Sequence, residues 1–215
     1  MHEPSVRISV WSDYVCPFCY LELPVLDALA GEMGERLAVD WRAFELRPDP
    51  EPTLDPDGDY LHRVWNASVY PMAAARGLVL RLPPVQPRSR LALEAASFAR
   101  EAGRFDAMNR GLFRAFFEEG RDIGELPVLL DVAGAAGLDR DALAEALASG
   151  ARRAEVAADR VHAERLGITG VPALRIVGRG GAVLLGGAQP IEALRAAIDR
   201  VHGDARDEGN PDRAA

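Results

Sequence analysis

The 215-residue chain has two cysteines, Cys16 and Cys19, separated only by Pro17 and Phe18 in the stretch WSDYVCPFCYLELP. A Cys-x-x-Cys pair supports metal ligation or thiol-disulfide exchange. A structural zinc takes four ligands, yet there is no second Cys-x-x-Cys, and His2, His62, His162 and His202 show no paired spacing. One chain therefore does not complete a tetrahedral site, whereas two chains pooling their thiols across a dimer would. Two inert core cysteines are a third reading, and the proline beside the first thiol weighs against it.

Exchange is favoured by where the pair sits. Pro17 suits the first position of a helix, where a missing N–H costs nothing. Cys16 is then the N-cap, facing unpaired N–H groups and the positive end of the helix dipole, an environment that favours a thiolate. Cys19, three residues on, lies one turn below on the same face, within the roughly 4.4–6.8 Å Cα separation that a disulfide tolerates. The expected division of labour has Cys16 attack or be attacked, while the more buried Cys19 closes the internal disulfide and releases the partner.

The flanking sequence must position these thiols. VRISVW, Val6 to Trp11, alternates like a strand and delivers its C-terminal end to the motif. A helix is expected over Pro17 to Met33 with a kink at Pro24, and a second strand over Arg36 to Leu46. RPDPEPTLDPDGD, Arg47 to Asp59, has four prolines and marks a boundary. Helical periodicity then returns over Tyr60 to Ala75, Leu91 to Gly103, Ala107 to Glu119, Pro127 to Ala136 and Arg140 to Gly167. Ala173 to Val177 and Ala182 to Leu185 are short apolar runs joined by GRGG, a hairpin signal, and Pro190 to His202 is a last helix.

The order is β-α-β, a helical block, then β-β-α. This is an α/β thioredoxin-like plan, a mixed sheet with a large inserted all-helical domain. The expected division places residues 1–48 and 166–203 in the thioredoxin-like domain, 49–165 in the insertion, and 204–215 in a disordered polar tail.

Composition narrows the function classes. With 48% hydrophobic and 27% charged residues the chain has the make-up of a soluble globular protein. Its formal charge of -8 and the lack of a basic cluster argue against nucleic acid as a partner. All 25 basic residues are arginine, which on amphipathic helices mostly form solvated faces. No long apolar run or signal-peptide pattern occurs, so no membrane association and a cytoplasmic location are expected. Thiols are kept reduced there, which again favours a working Cys-x-x-Cys over a structural staple.

A second site element lies far along the chain. In LGITGVPALRI, Leu166 to Ile176, Pro172 immediately precedes an apolar strand. It either begins an edge strand or, as a cis proline beside the cysteines, leaves the backbone groups of Val171 free to bind an extended substrate. Asp13, just ahead of the motif, tunes Cys16 or relays its proton on one reading. A polar residue at a strand end is more commonly a turn or cap, and Asp13 is left outside the catalytic set.

SDYVCPFCY at Ser12 to Tyr20, FFEEGRDIG at Phe116 to Gly124 and GITGVPAL at Gly167 to Leu174 together make the chain resemble the DsbA-like thioredoxin-fold oxidoreductases. Within them it resembles the cytoplasmic FrnE-type branch. The resemblance implies thiol-disulfide exchange, including disulfide isomerisation, at catalytic Cys16 and Cys19, substrate binding at Val171 and a cis Pro172. It implies no cofactor beyond the redox-active disulfide, with glutathione as one candidate co-substrate. Partners would be protein or small-molecule thiols and disulfides, bound by a monomer or homodimer. Phe18 stands where members of the branch often carry tryptophan, and the extra cysteines of some members are missing here. Phe113, Phe116 and Phe117, at helical spacing, read as core packing beneath the insertion.

Two other functions share the architecture. Kappa-class glutathione transferases and hydroxychromene-carboxylate isomerases resemble it in plan but typically carry serine at the position of Cys16. A non-enzymatic chaperone-like binding module would use the groove between the insertion and the sheet.

Overall fold

A computed structural model describes residues 3–202; the expected tail at 204–215 and His2 lie outside the described residues. The architecture is a mixed four-stranded sheet, ordered β2-β1-β3-β4, with helices around it. Strand β1 (Val6–Ser12) runs parallel to β2 (Leu37–Ala43) and antiparallel to β3 (Ala173–Gly178), which forms a hairpin with β4 (Gly181–Gly186). Both ends of the chain thus build one sheet, with Val10 opposite Trp41 on one side and Leu174 on the other.

Strand β1 starts with alternating burial and ends with Val10, Trp11 and Ser12 all buried. The alternation stops because both faces are covered at that end. Val10 packs with Leu26 and Leu29 of α1 (Pro17–Met33) and Leu194 and Ile198 of α9 (Ile191–His202). Trp11 packs on the opposite face with Ala163 of α8 (Arg153–Arg165), and its indole N–H donates to the Asp159 carbonyl at 3.1 Å.

Helix α1 keeps its expected bounds, and its first turns are not amphipathic: Cys19 through Leu23 are buried in unbroken succession. This segment is wedged between the sheet and the insertion. Pro24 interrupts the helical hydrogen-bond ladder, and the Arg76 guanidinium, arriving from the insertion, donates to the Leu21 carbonyl at 2.5 Å.

The insertion begins with α2 (Asp59–Val64), a π-helical turn (Trp65–Val69) and α3 (Tyr70–Ala75). It continues through α4 (Arg90–Glu101), α5 (Phe105–Phe117), α6 (Leu126–Ala135) and α7 (Arg140–Ser149) to α8. Phe113, Phe116 and Phe117 are fully buried, and Phe113 and Phe117 stack on Tyr20 of α1 at 5.2 and 6.0 Å. The core of the insertion is therefore continuous with the side chains around the thiols.

Two boundaries differ from expectation. The single helical segment expected from Arg140 to Gly167 is two helices, because Gly150 takes a left-handed conformation at φ +66° and closes α7. Strand β2 stops at Ala43, three residues short of Leu46, because the chain turns inward there to meet Asp13. Helix α8, expected within the insertion, packs across β2.

Gly178 shows how closely β3 and α9 approach. A Cβ there would lie 2.4 Å from the Val201 carbonyl oxygen, which accepts the Gly180 N–H at 2.7 Å. The obstacle is backbone and cannot rotate away. Gly178→Ala is expected to destabilise the fold by about 1–3 kcal/mol in denaturant titration, the usual range for overpacking. Unchanged stability would contradict this packing.

Candidate active site

The chain leaves β1 at Ser12 and enters α1 at Pro17, and the four residues between them build the thiol site. The Cys16 N–H donates to the Asp13 carbonyl at 3.1 Å, closing a tight turn that sets Cys16 as the N-cap. Its backbone is extended there (φ -97°, ψ 111°), and its side chain makes no capping bond. The sulfur is thus left free of the helix while standing over its N-terminus. Among the described residues, both cysteines are free thiols.

The four expected site residues lie together, with Cys16 between Cys19 and the Val171–Pro172 segment. The Cys16 thiol donates to the Val171 carbonyl at 3.5 Å, across 155 residues of sequence, and the Val171–Pro172 peptide is cis. Pro172 is buried at the head of β3. Cys16 opens onto a groove of about 400 Å3 walled by Pro17, Phe18, Leu54, Trp65, Phe117 and Val171. Phe117 thus serves both the core and the groove.

Cys19 lies behind Cys16 and is completely buried, outside the groove lining. Burial pushes its thiol well above the ordinary range, and the hydrogen bond and charge of Cys16 push the same way. The Asp13 backbone N–H and the Ser12 hydroxyl oppose that shift by stabilising the thiolate. The two thiols thus occupy different environments: Cys16 faces the groove, and Cys19 is held protonated in the interior.

Asp13 is also completely buried. Its carboxylate accepts the Leu46 N–H at 2.7 Å and the Val15 N–H at 3.3 Å, and the nearby Ser89 hydroxyl also favours its charged form. Desolvation nevertheless dominates and raises its pKa from 3.8 to about 6. A carboxyl so shifted favours folding below about pH 4, and that contribution is lost as pH rises through 6. The only sequence signal for Asp13 was its place in SDYVC. Ser89 and Leu46 carried none.

Other contacts hold the insertion against the thiol helix. The Tyr20 hydroxyl donates to Glu118 at 2.5 Å, and the Tyr14 hydroxyl donates to Asn109 at 2.9 Å. Burial raises both phenols above their ordinary value, so they remain neutral donors. Among the described residues, no group of three or more His, Cys, Asp or Glu side chains is placed to hold a metal ion, and no helix is long and apolar enough to cross a membrane.

A family model for the DSBA-like thioredoxin domain matches residues 7–199. The Bacillus subtilis protein YwbO, itself uncharacterised, is 38% identical over 146 residues, which span 66% of this chain and 72% of YwbO. Among solved structures, the probable DsbA oxidoreductase SCO1869 of Streptomyces coelicolor superposes with a TM-score of 0.77 at 28% identity, covering 98% of this chain and 94% of SCO1869. A 2-hydroxychromene-2-carboxylate isomerase has the same fold, with a TM-score of 0.75 at 20% identity over 90% of this chain and 95% of the isomerase.

Proposed function

The chain belongs to the DSBA-like thioredoxin domain family, and from that premise we propose that it is a thiol-disulfide oxidoreductase cycling the Cys16–Cys19 pair. The observation that carries this reading is the asymmetry of the two thiols: Cys16 caps α1 and faces the groove, and Cys19 is sealed behind it.

In the reductive direction the Cys16 thiolate attacks one sulfur of a partner disulfide. The partner's S–S bond breaks, one partner thiolate leaves, and a mixed disulfide forms on Cys16. Cys19 then gives up its proton and attacks the Cys16 sulfur, expelling the second partner thiolate. Two electrons have passed to the partner, and the chain holds a Cys16–Cys19 disulfide. Run backwards, the same steps oxidise a dithiol. The cis Val171–Pro172 segment beside the sulfur offers backbone groups to an extended partner, the mode of strand addition.

The fold is common to this chemistry and to an isomerase, so the fold alone does not choose between them. The second thiol supports exchange, because a hydroxyl or thiol acting with glutathione needs no resolving partner. Titration with a thiol reagent is expected to count two thiols in the reduced protein and none after oxidation. Cys19→Ser is expected to accumulate a stable mixed disulfide on Cys16 when given a peptide disulfide, visible as a mass increase that a reductant removes. A protein whose thiol count does not change with redox state, or a variant that forms no adduct, would refute the reading.

A further inference from the structure

We propose that Asp13 is a positioning residue of the exchange site, its ionised carboxylate tying the thiol loop to the opposite walls of the substrate groove. This rests on reading the groove as the place where the disulfide partner binds.

The groups that favour the Asp13 charge come from three segments: the Val15 N–H in the loop before α1 and the Leu46 N–H after β2, both bonded to the carboxylate, and the Ser89 hydroxyl at the N-cap of α4. All three residues line the groove. The same residue holds the thiols through its backbone, since its carbonyl accepts the Cys16 N–H and its N–H faces the Cys19 sulfur. One buried side chain therefore links both cysteines to groove walls contributed by positions 46 and 89.

The arginines beside these segments are engaged elsewhere: Arg47 donates to the Pro52 carbonyl, and Arg88 to the Arg47 carbonyl and Asp49. Arg90 of α4 holds the neighbouring Glu45 carboxylate through Nε at 2.6 Å and a terminal nitrogen at 2.5 Å. Arg160 of α8 donates to the Glu45 carbonyl at 2.7 Å and covers the Phe44 ring at 4.3 Å. The remaining titratable groups facing Asp13 are Glu45 itself, the Tyr14 phenol and the two thiols; Glu45 repels its negative charge. The charge of Asp13 is thus held by N–H and O–H donors.

An ionised carboxylate offers two charged acceptor oxygens to these groups. Protonation turns one of them into a neutral hydroxyl, a weaker acceptor, and the tie made at that oxygen weakens. Because burial brings protonation to about pH 6, the groove should loosen in mildly acid solution.

The test is steady-state reduction of a peptide disulfide by the full-length protein across pH 5–8. In the wild type, KM is expected to rise about tenfold on acidification with an inflection near pH 6, the effect of turning a charge-assisted hydrogen bond into a neutral one. Asp13→Asn should show the raised KM at every pH and no inflection. Ser89→Ala keeps the carboxylate and removes a donor that favours its ionised form, so its inflection should move above that of the wild type. An Asp13→Asn variant with the wild-type KM and inflection would overturn the proposal. Should that variant fail to fold, an unmoved inflection in Ser89→Ala would overturn it instead. A wild type inactive at every pH would overturn the reading of the groove, and this proposal with it, whereas an active wild type with unaltered variants would refute Asp13 alone.

Discussion

Cys16→Ser is expected to abolish turnover of any disulfide substrate while leaving the fold intact. A serine oxygen forms no disulfide and carries no electrons through the cycle, and the remaining Cys19 is fully buried, outside the groove lining. The loss should therefore reach the uncatalysed rate and not stop at a partial defect. Stability should hold or improve. Cys16 makes no side-chain capping bond, whereas serine is among the preferred N-cap residues and contributes about 0.5–2 kcal/mol there relative to alanine. Activity assays beside thermal melts separate the two effects. An inactive variant with an unchanged or higher melting temperature is the expected outcome. Retained disulfide reduction would remove Cys16 from the mechanism, and glutathione-dependent activity in the serine variant would point to the isomerase-type chemistry of the shared fold.

Arg76→Ala should produce the largest loss of stability. Glu22, one turn beyond Cys19, is completely buried and accepts the Gln189 N–H at 2.8 Å and Arg76 at 3.3 Å. Arg76 further donates to the Leu21 carbonyl at 2.5 Å and the Gln189 carbonyl at 2.7 Å. One guanidinium thus joins the thiol helix, the insertion and the loop before α9. Removing it leaves a buried carboxylate without its counter-charge, at a cost of about 3–5 kcal/mol. For a chain of this length that is a fall of roughly 6–20 °C in melting temperature.

The pH dependence follows from the same contacts. Burial already raises the pKa of Glu22 against the pull of Gln189 and Arg76, and losing Arg76 would raise it further. The defect should therefore be greatest near neutral pH and shrink as acid neutralises the stranded carboxyl. Glu22→Gln combined with Arg76→Ala should lose less than Arg76→Ala alone, because the uncompensated charge is gone. Equal losses in the single and double variants would show that Arg76 acts through packing and not through Glu22.

The local frame of the site was legible because it depends on neighbours in sequence. Pro17 specifies a helix start, so the helix bounds and the N-cap position of Cys16 could be derived from residue types alone. The alternation in VRISVW and the glycine-rich turn after Val177 marked strands for the same reason. The break at Gly150 was missed because alanine-rich helical periodicity continues on both sides of it, and only the backbone conformation distinguishes a cap from a tolerated glycine.

Asp13 is the clearest case where local reasoning stopped short. An aspartate after a strand is ordinarily a solvated cap. Here the end of β2 and the start of α4 close over it, and its partners lie at positions 46 and 89. The same holds for Glu22, which on helical spacing alone is an ordinary polar position and is buried because the insertion and the loop before α9 cover it.

The sequence by itself determined the local frame: two thiols three residues apart at the start of a helix, and the order of strands and helices along the chain. Those features follow from covalent spacing and backbone stereochemistry, which act within a few residues. Tertiary structure alone decided what walls the groove, that the Val171–Pro172 segment meets Cys16, and which carboxyls are stripped of water. Burial and long-range hydrogen bonding depend on segments dozens of residues apart arriving at one place, and no local pattern encodes that arrival.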